Sequence, residues 1–209
     1  MRVAKSKIRP EMKQAESLKV TLASLEEKIN AGQKLEPSEI LWLEQRNQNG
    51  YLARYFQDRY ERTSDPWDLV YASSYWREAN DPYQSIEITN EIRVQNRKAM
   101  AALLTTRGGA FRDISRLDEA EACAKDALEH GKDNYHPYNL LGAIYYQRGR
   151  FEKGDEYYEK AKELGAPTDE RVRIIKKLLR HFGQIERNKM ISHLSKKDPE
   201  LFQLTKRFI

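Results

Sequence analysis

Two stretches of this chain repeat each other at a spacing of 34 residues, which few folds accommodate. Tyr138, Leu141, Gly142, Tyr145, Phe151, Gly154, Tyr158 and Ala161 fall, 34 positions earlier, on Leu104, Arg107, Gly108, Phe111, Leu117, Ala120, Ala124 and Ala127. Small residues meet small ones, and most large apolar residues meet large apolar ones. The turn repeats as well, with Ser115-Arg-Leu-Asp-Glu-Ala120 one period before Gly149-Arg-Phe-Glu-Lys-Gly154. Apolar residues three and four apart mark one face of a helix. A small residue at a fixed place in each helix lets its mate come close. A unit of this length buries only part of its apolar face by itself, so neighbouring units must stack. The pattern predicts antiparallel helix pairs and an all-α chain.

The unit Tyr138-Asn-Leu-Leu-Gly-Ala-Ile-Tyr145, followed by Phe151 through Ala161 and by Pro167, resembles the tetratricopeptide-repeat (TPR) family. The preceding unit departs from the family pattern at Arg107, where the family has Leu, and at Ala124, where it has an aromatic. The resemblance implies a TPR-type solenoid of helical hairpins whose role is to bind another macromolecule. A degenerate unit comes before these two. Asp65-Pro66 reads as N-cap and first helical residue of a helix through Trp67, Leu69, Ala72, Ser73 and Trp76. Asp81-Pro82 repeats the signal and opens a second helix through Ser85 and Ile92. Aligning Ser73 with Gly108 takes a spacing of 35 residues.

The flanks differ from the repeats. Ala15, Leu18, Leu22, Leu25 and Ile29 form a narrow apolar seam of coiled-coil type, too short for a free coiled coil. Ala31-Gly32 ends that helix, and Pro37 opens another carrying Ile40, Leu43, Tyr51, Tyr55 and Phe56, with Asn49-Gly50 a candidate break. The seam either packs as a hairpin against the first repeat or serves self-association and partner binding. After Pro167, Thr168 is a candidate cap for a helix with Val172, Ile174, Ile175, Leu178, Leu179 and Phe182. Lys176 stands there at the small position of a TPR, so this helix reads as a terminal cap. Two short helices are expected after it, near Ile185–Leu194 and from Asp198-Pro199. The expected organisation is a helical hairpin over 1–62, about three repeat units over 65–167, and basic capping helices over 168–209.

Composition limits the chemistry. Cys123 is the only cysteine and the four histidines are dispersed, so neither a disulfide nor a metal cluster is expected. No apolar run approaches the roughly 20 residues of a membrane span. The basic start lacks the apolar stretch of a secretory signal, and a reducing, cytoplasmic setting fits. Arg107-Gly108-Gly109 lacks the Lys-Ser/Thr of a phosphate loop. Arg187-Asn188-Lys-Met-Ile-Ser-His193 fits the Arg–polar–x4–His pattern of HEPN-type ribonucleases, in which Arg holds a phosphate while His moves a proton. The segment is too short for a separate four-helix bundle, and a motif this brief recurs by chance. No catalytic residue, cofactor or metal is therefore assigned.

Charge points to a binding surface. Residues 1–35 carry a net +4, residues 36–167 a net −5, and residues 168–209 a net +6. By the TPR resemblance, ligands lie along a concave groove lined by positions two, five, nine and twelve of each first helix. These positions include Trp67 and Arg77, Thr105 and Arg112, then His136, Asn139 and Tyr146. Carrying the register past Pro167 adds Glu170, Arg173, Lys177 and Arg180. The expected groove is basic, with Glu170 its single acid, and suits an acidic or extended protein segment. Asn139 and Tyr146 are candidates for hydrogen bonds to the ligand backbone, and Trp67 for an apolar anchor. The alternative is nucleic-acid binding by the basic termini.

Overall fold

A computed structural model describes residues 20–90 and 94–205 of the chain. They form twelve helices and no strand: α1 (Leu22–Asn30), α2 (Pro37–Gln45), α3 (Asn49–Thr63), α4 (Pro66–Glu78), α5 (Pro82–Ile88), α6 (Arg97–Asp113), α7 (Leu117–His130), α8 (Tyr135–Gln147), α9 (Phe151–Glu163), α10 (Thr168–His181), α11 (Gln184–Lys197) and α12 (Pro199–Thr205). They group into two compact units, one up to residue 92 and one from residue 93.

The repeat is visible in the turns. Asn80, Ser115 and Gly149 all adopt positive φ, at 64°, 63° and 72°. Each closes its helix with the same pair of bonds. The N–H groups of Asn80, Ser115 and Gly149 donate to Arg77, Arg112 and Tyr146, and the next N–H in each case reaches back to Trp76, Phe111 or Tyr145. This left-handed cap satisfies carbonyls that the helix end would otherwise leave open. The turns are 35 and then 34 residues apart, the spacings of the sequence pattern.

The crossing points repeat too. A Cβ built on Gly108 lies 3.0 Å from the Ala120 carbonyl oxygen, and one on Gly154 lies 3.0 Å from the Gly142 carbonyl oxygen. At the corresponding crossing of α4 and α5, the Ser73 and Ser85 hydroxyls meet at 2.8 Å, both buried. α5 ends at Ile88, short of the helix expected through Ile92, which lies outside the described residues.

In the first unit, Leu25, Ile29, Leu35, Leu43, Leu52, Tyr55, Phe56 and Ala72 share one core. Leu25 and Ile29, two of the five seam residues, are therefore buried within their own unit. Thr21 is an extended N-cap with a capping box to Ser24, so α1 starts there. Ala15 and Leu18 lie outside the described residues. The break expected at Asn49-Gly50 falls just before it, because Asn47 takes positive φ and Gly50 continues inside α3. In the second unit, Tyr146, Phe151, Tyr158, Ile175, Leu178, Leu179, Met190, Leu194 and Leu201 form the core under α8 to α12. Pro167 takes the N-cap position of α10, leaving Thr168 as its first residue.

Candidate functional site

Within the second unit, α8 packs against both α6 and α10. The expected binding residues of this unit fall on these three helices, the α6–α8–α10 face. Thr105 and Arg112 stand on α6, Asn139 and Tyr146 on α8, and Arg173, Lys177 and Arg180 on α10. Trp67 and Arg77 stand on α4 of the first unit. There Trp67 is half-buried, and its N–H is capped by Asp65 at 3.0 Å.

The residues of the α6–α8–α10 face differ sharply in what they offer a ligand. Arg173, Lys177 and Arg180 are exposed. Thr105 turns its hydroxyl onto the Ala101 carbonyl at 2.6 Å. Asn139 is only 4% exposed, and its Nδ2 has no acceptor among the described residues. A buried amide donor without a partner costs roughly 1–3 kcal/mol. Tyr146 does not face a ligand: it is fully buried, and its hydroxyl donates to Asp155 at 2.5 Å. Burial, and then that bond, push its phenol well above the usual tyrosine range. A large aromatic at this place in the register fills the core beneath the face instead of lining it.

Nor is Glu170 the only acid here. Asp113, at the end of α6, pairs with Lys177 on α10 at 3.1 Å and with its neighbour Arg112 at 3.5 Å. Two of the expected cations thus share one carboxylate. The repeat register gives Asp113 no lining position, and the only sequence signal was its place beside Arg112. Glu170 faces His136, with the Nδ1 nitrogen 3.8 Å away. Burial works to raise the Glu170 pKa, but the bond to His136 and its charge overcome this and hold it below the usual value.

The sequence pattern does not single out Asp155 of α9, because small and aromatic positions carry no signal for a half-buried acid. Its Oδ1 accepts from Tyr146 and, at 2.8 Å, from Arg171 of α10. Its Oδ2 lies 2.6 Å from His193 Nε2 on α11. Arg171 also reaches Asp198, the cap of α12, at 3.1 Å. One carboxylate thus ties its own helix to three others, α8, α10 and α11. Arg187 and His193, the residues of the ribonuclease-like pattern, take separate contacts: Arg187 donates to the Phe182 carbonyl at 3.1 Å, while His193 is held by Asp155.

Comparison with solved structures gives an alignment along most of the chain. The crystal structure of MamA, a TPR-like helical protein, superposes with a TM-score of 0.51 over 84% of this chain and 95% of MamA, at 15% sequence identity. The fold is TPR-like. No protein-family model and no curated protein matches the sequence. Among the described residues no helix is long and apolar enough to cross a membrane.

Proposed function

We propose that the chain is an interaction scaffold, with its three repeat units in residues 65–167, and that the α6–α8–α10 face binds an extended acidic segment of another protein. The observation that carries this reading is Asn139. Its amide donor lies on the middle helix, lacks an acceptor among the described residues and is closed to solvent, so a backbone carbonyl of an extended ligand supplies one only as neighbouring side chains of the face move aside. Arg173 and Arg180 then bring exposed positive charge to the side chains of that segment. Each such ion pair is modest and screened by salt, so affinity comes from several acting together. The role is binding, and no step of it needs a cofactor.

Fluorescence anisotropy with a labelled pool of Asp/Glu-rich peptides tests the reading. Arg173→Glu with Arg180→Glu is expected to weaken binding about tenfold, two charge reversals of ordinary exposed size. Lys177 is left in place so that its bond to Asp113 survives. Lys5→Glu with Lys7→Glu is expected to leave peptide binding unchanged. Equal losses in the two double variants, with log affinity for a generic oligonucleotide falling linearly with log salt, instead favour nucleic-acid binding.

A further inference from the structure

A second cationic feature of the same unit lies away from that face. α11 sets His193 against Phe151 at the start of α9, with ring centroids 5.3 Å apart, and buries Met190 and Leu194 in the core. The neighbouring stripe of α11, with spacings of three, one and three residues, is Lys189, Ser192, His193 and Lys196. Together with Lys197, Phe151 and Glu152 it borders an open cleft of about 480 Å³. Gly149, at the tip of the α8–α9 turn, has no neighbour within 4 Å of a built Cβ, which leaves the cleft mouth clear.

The lysines of this cleft differ from those of the neighbouring repeat helices. Lys125, Lys153 and Lys160 each pair with a glutamate three or four residues away, at 2.7, 2.5 and 2.8 Å. Lys189, Lys196 and Lys197 make no ion pair among the described residues, and all three are exposed. Glu186, the acid three residues before Lys189, turns back over the helix start, its Oε2 3.0 Å from a Cβ built on Gly183. The cleft floor is also oriented. With His193 Nε2 bonded to Asp155, the other ring nitrogen, Nδ1, lies toward the cleft, 3.6 Å from the exposed Glu152 carboxylate.

We propose that this cleft binds a phosphate monoester group. Three lysines and the Ser192 hydroxyl line the cleft, and no arginine does. Lysine is a mobile point charge, and a phosphate monoester, with up to two negative charges over three terminal oxygens, engages several ammonium groups at once where a single carboxylate does not. Glu152 is the one acid on the rim, and its exposed side chain swings aside or competes. The site is independent of the peptide-binding face, and its test does not depend on that reading.

NMR titration of the full chain with inorganic phosphate, and with acetate at matched ionic strength, tests the proposal. Saturable shifts are expected in the backbone amides of Gly149, Ser192, His193 and Lys196, with phosphate only. Replacing Lys189, Lys196 and Lys197 together by Gln is expected to weaken phosphate binding about tenfold, and Glu152→Gln to tighten it about threefold. All four side chains are exposed, so the fold tolerates the changes. Glycerol phosphate and a phosphoserine peptide form a second pair of arms, and the one that binds more tightly than inorganic phosphate identifies the source of the group. Equal shifts with acetate, shifts spread over Lys153 and Lys160, or an unweakened triple variant overturn the proposal.

Discussion

The tightest constraints in this molecule are single residues at helix crossings. A Cβ built on Gly142 lies 2.9 Å from Tyr158 Cε1, and Tyr158 is itself only 2% exposed. The ring has nowhere to go, so Gly142→Leu overpacks the crossing at a cost of roughly 1–3 kcal/mol. A thermal melt should show a midpoint several degrees lower, at roughly 2–4 °C per kcal/mol for a chain of this size. An unchanged midpoint contradicts the register. A second residue sets acid sensitivity. Burial acts to raise the pKa of Glu121, but bonds from Lys125, Arg148 and Tyr145 outweigh it and bring it from 4.5 down to about 2. A carboxylate depressed in the folded state contributes stability that is present above its unfolded pKa. That contribution is lost as pH falls through the window from 4.5 to about 2. Wild type should therefore lose more melting temperature than Glu121→Gln across that window, and parallel losses would show that Glu121 is not a source of acid sensitivity.

Helices were legible wherever apolar periodicity and turn chemistry agreed. Asp65 and Asp81, each before a proline, are the N-caps the sequence announced, accepting from Trp67 and Gln84. The small pairs Gly108/Ala120 and Gly142/Gly154 mark real crossings. The face of the helices was harder to read, because the register gives direction and not depth. It placed Tyr146 on the surface, although an aromatic beside Gly154 has a core to fill: a Cβ on that glycine runs into the Tyr146 ring. It also passed over Asp113, whose partner Lys177 is 64 residues away. No local pattern reveals a pair at that distance. The pair has a consequence for binding. Asp113 competes with an acidic ligand for Lys177, so Asp113→Asn should raise affinity for the Asp/Glu-rich peptides about threefold, while costing some stability. Calorimetric titration measures the first effect and a melt the second. Weaker peptide binding in a folded Asp113→Asn variant would mean that Lys177 needs Asp113 to hold it in place.

At the level of the whole molecule, each compact unit has its own hydrophobic core, so damage to one is readable separately from the other. The candidate binding residues of the second unit lie on three neighbouring helices, and one of them, Asn139, has a buried amide without an acceptor among the described residues. Charge alone does not distinguish a protein ligand from a nucleic acid, since both are anionic. A backbone acceptor reaching Asn139 does, because it requires an extended chain laid along α8. The decisive measurement follows the Asn139 side-chain amide by nitrogen-edited NMR while an Asp/Glu-rich peptide is added, alongside the affinity of Asn139→Ala. The account predicts a saturable downfield shift of that amide and about tenfold weaker binding in the variant, the loss of one hydrogen bond to a buried group. An amide that stays in place while the peptide binds with undiminished affinity to Asn139→Ala would contradict it.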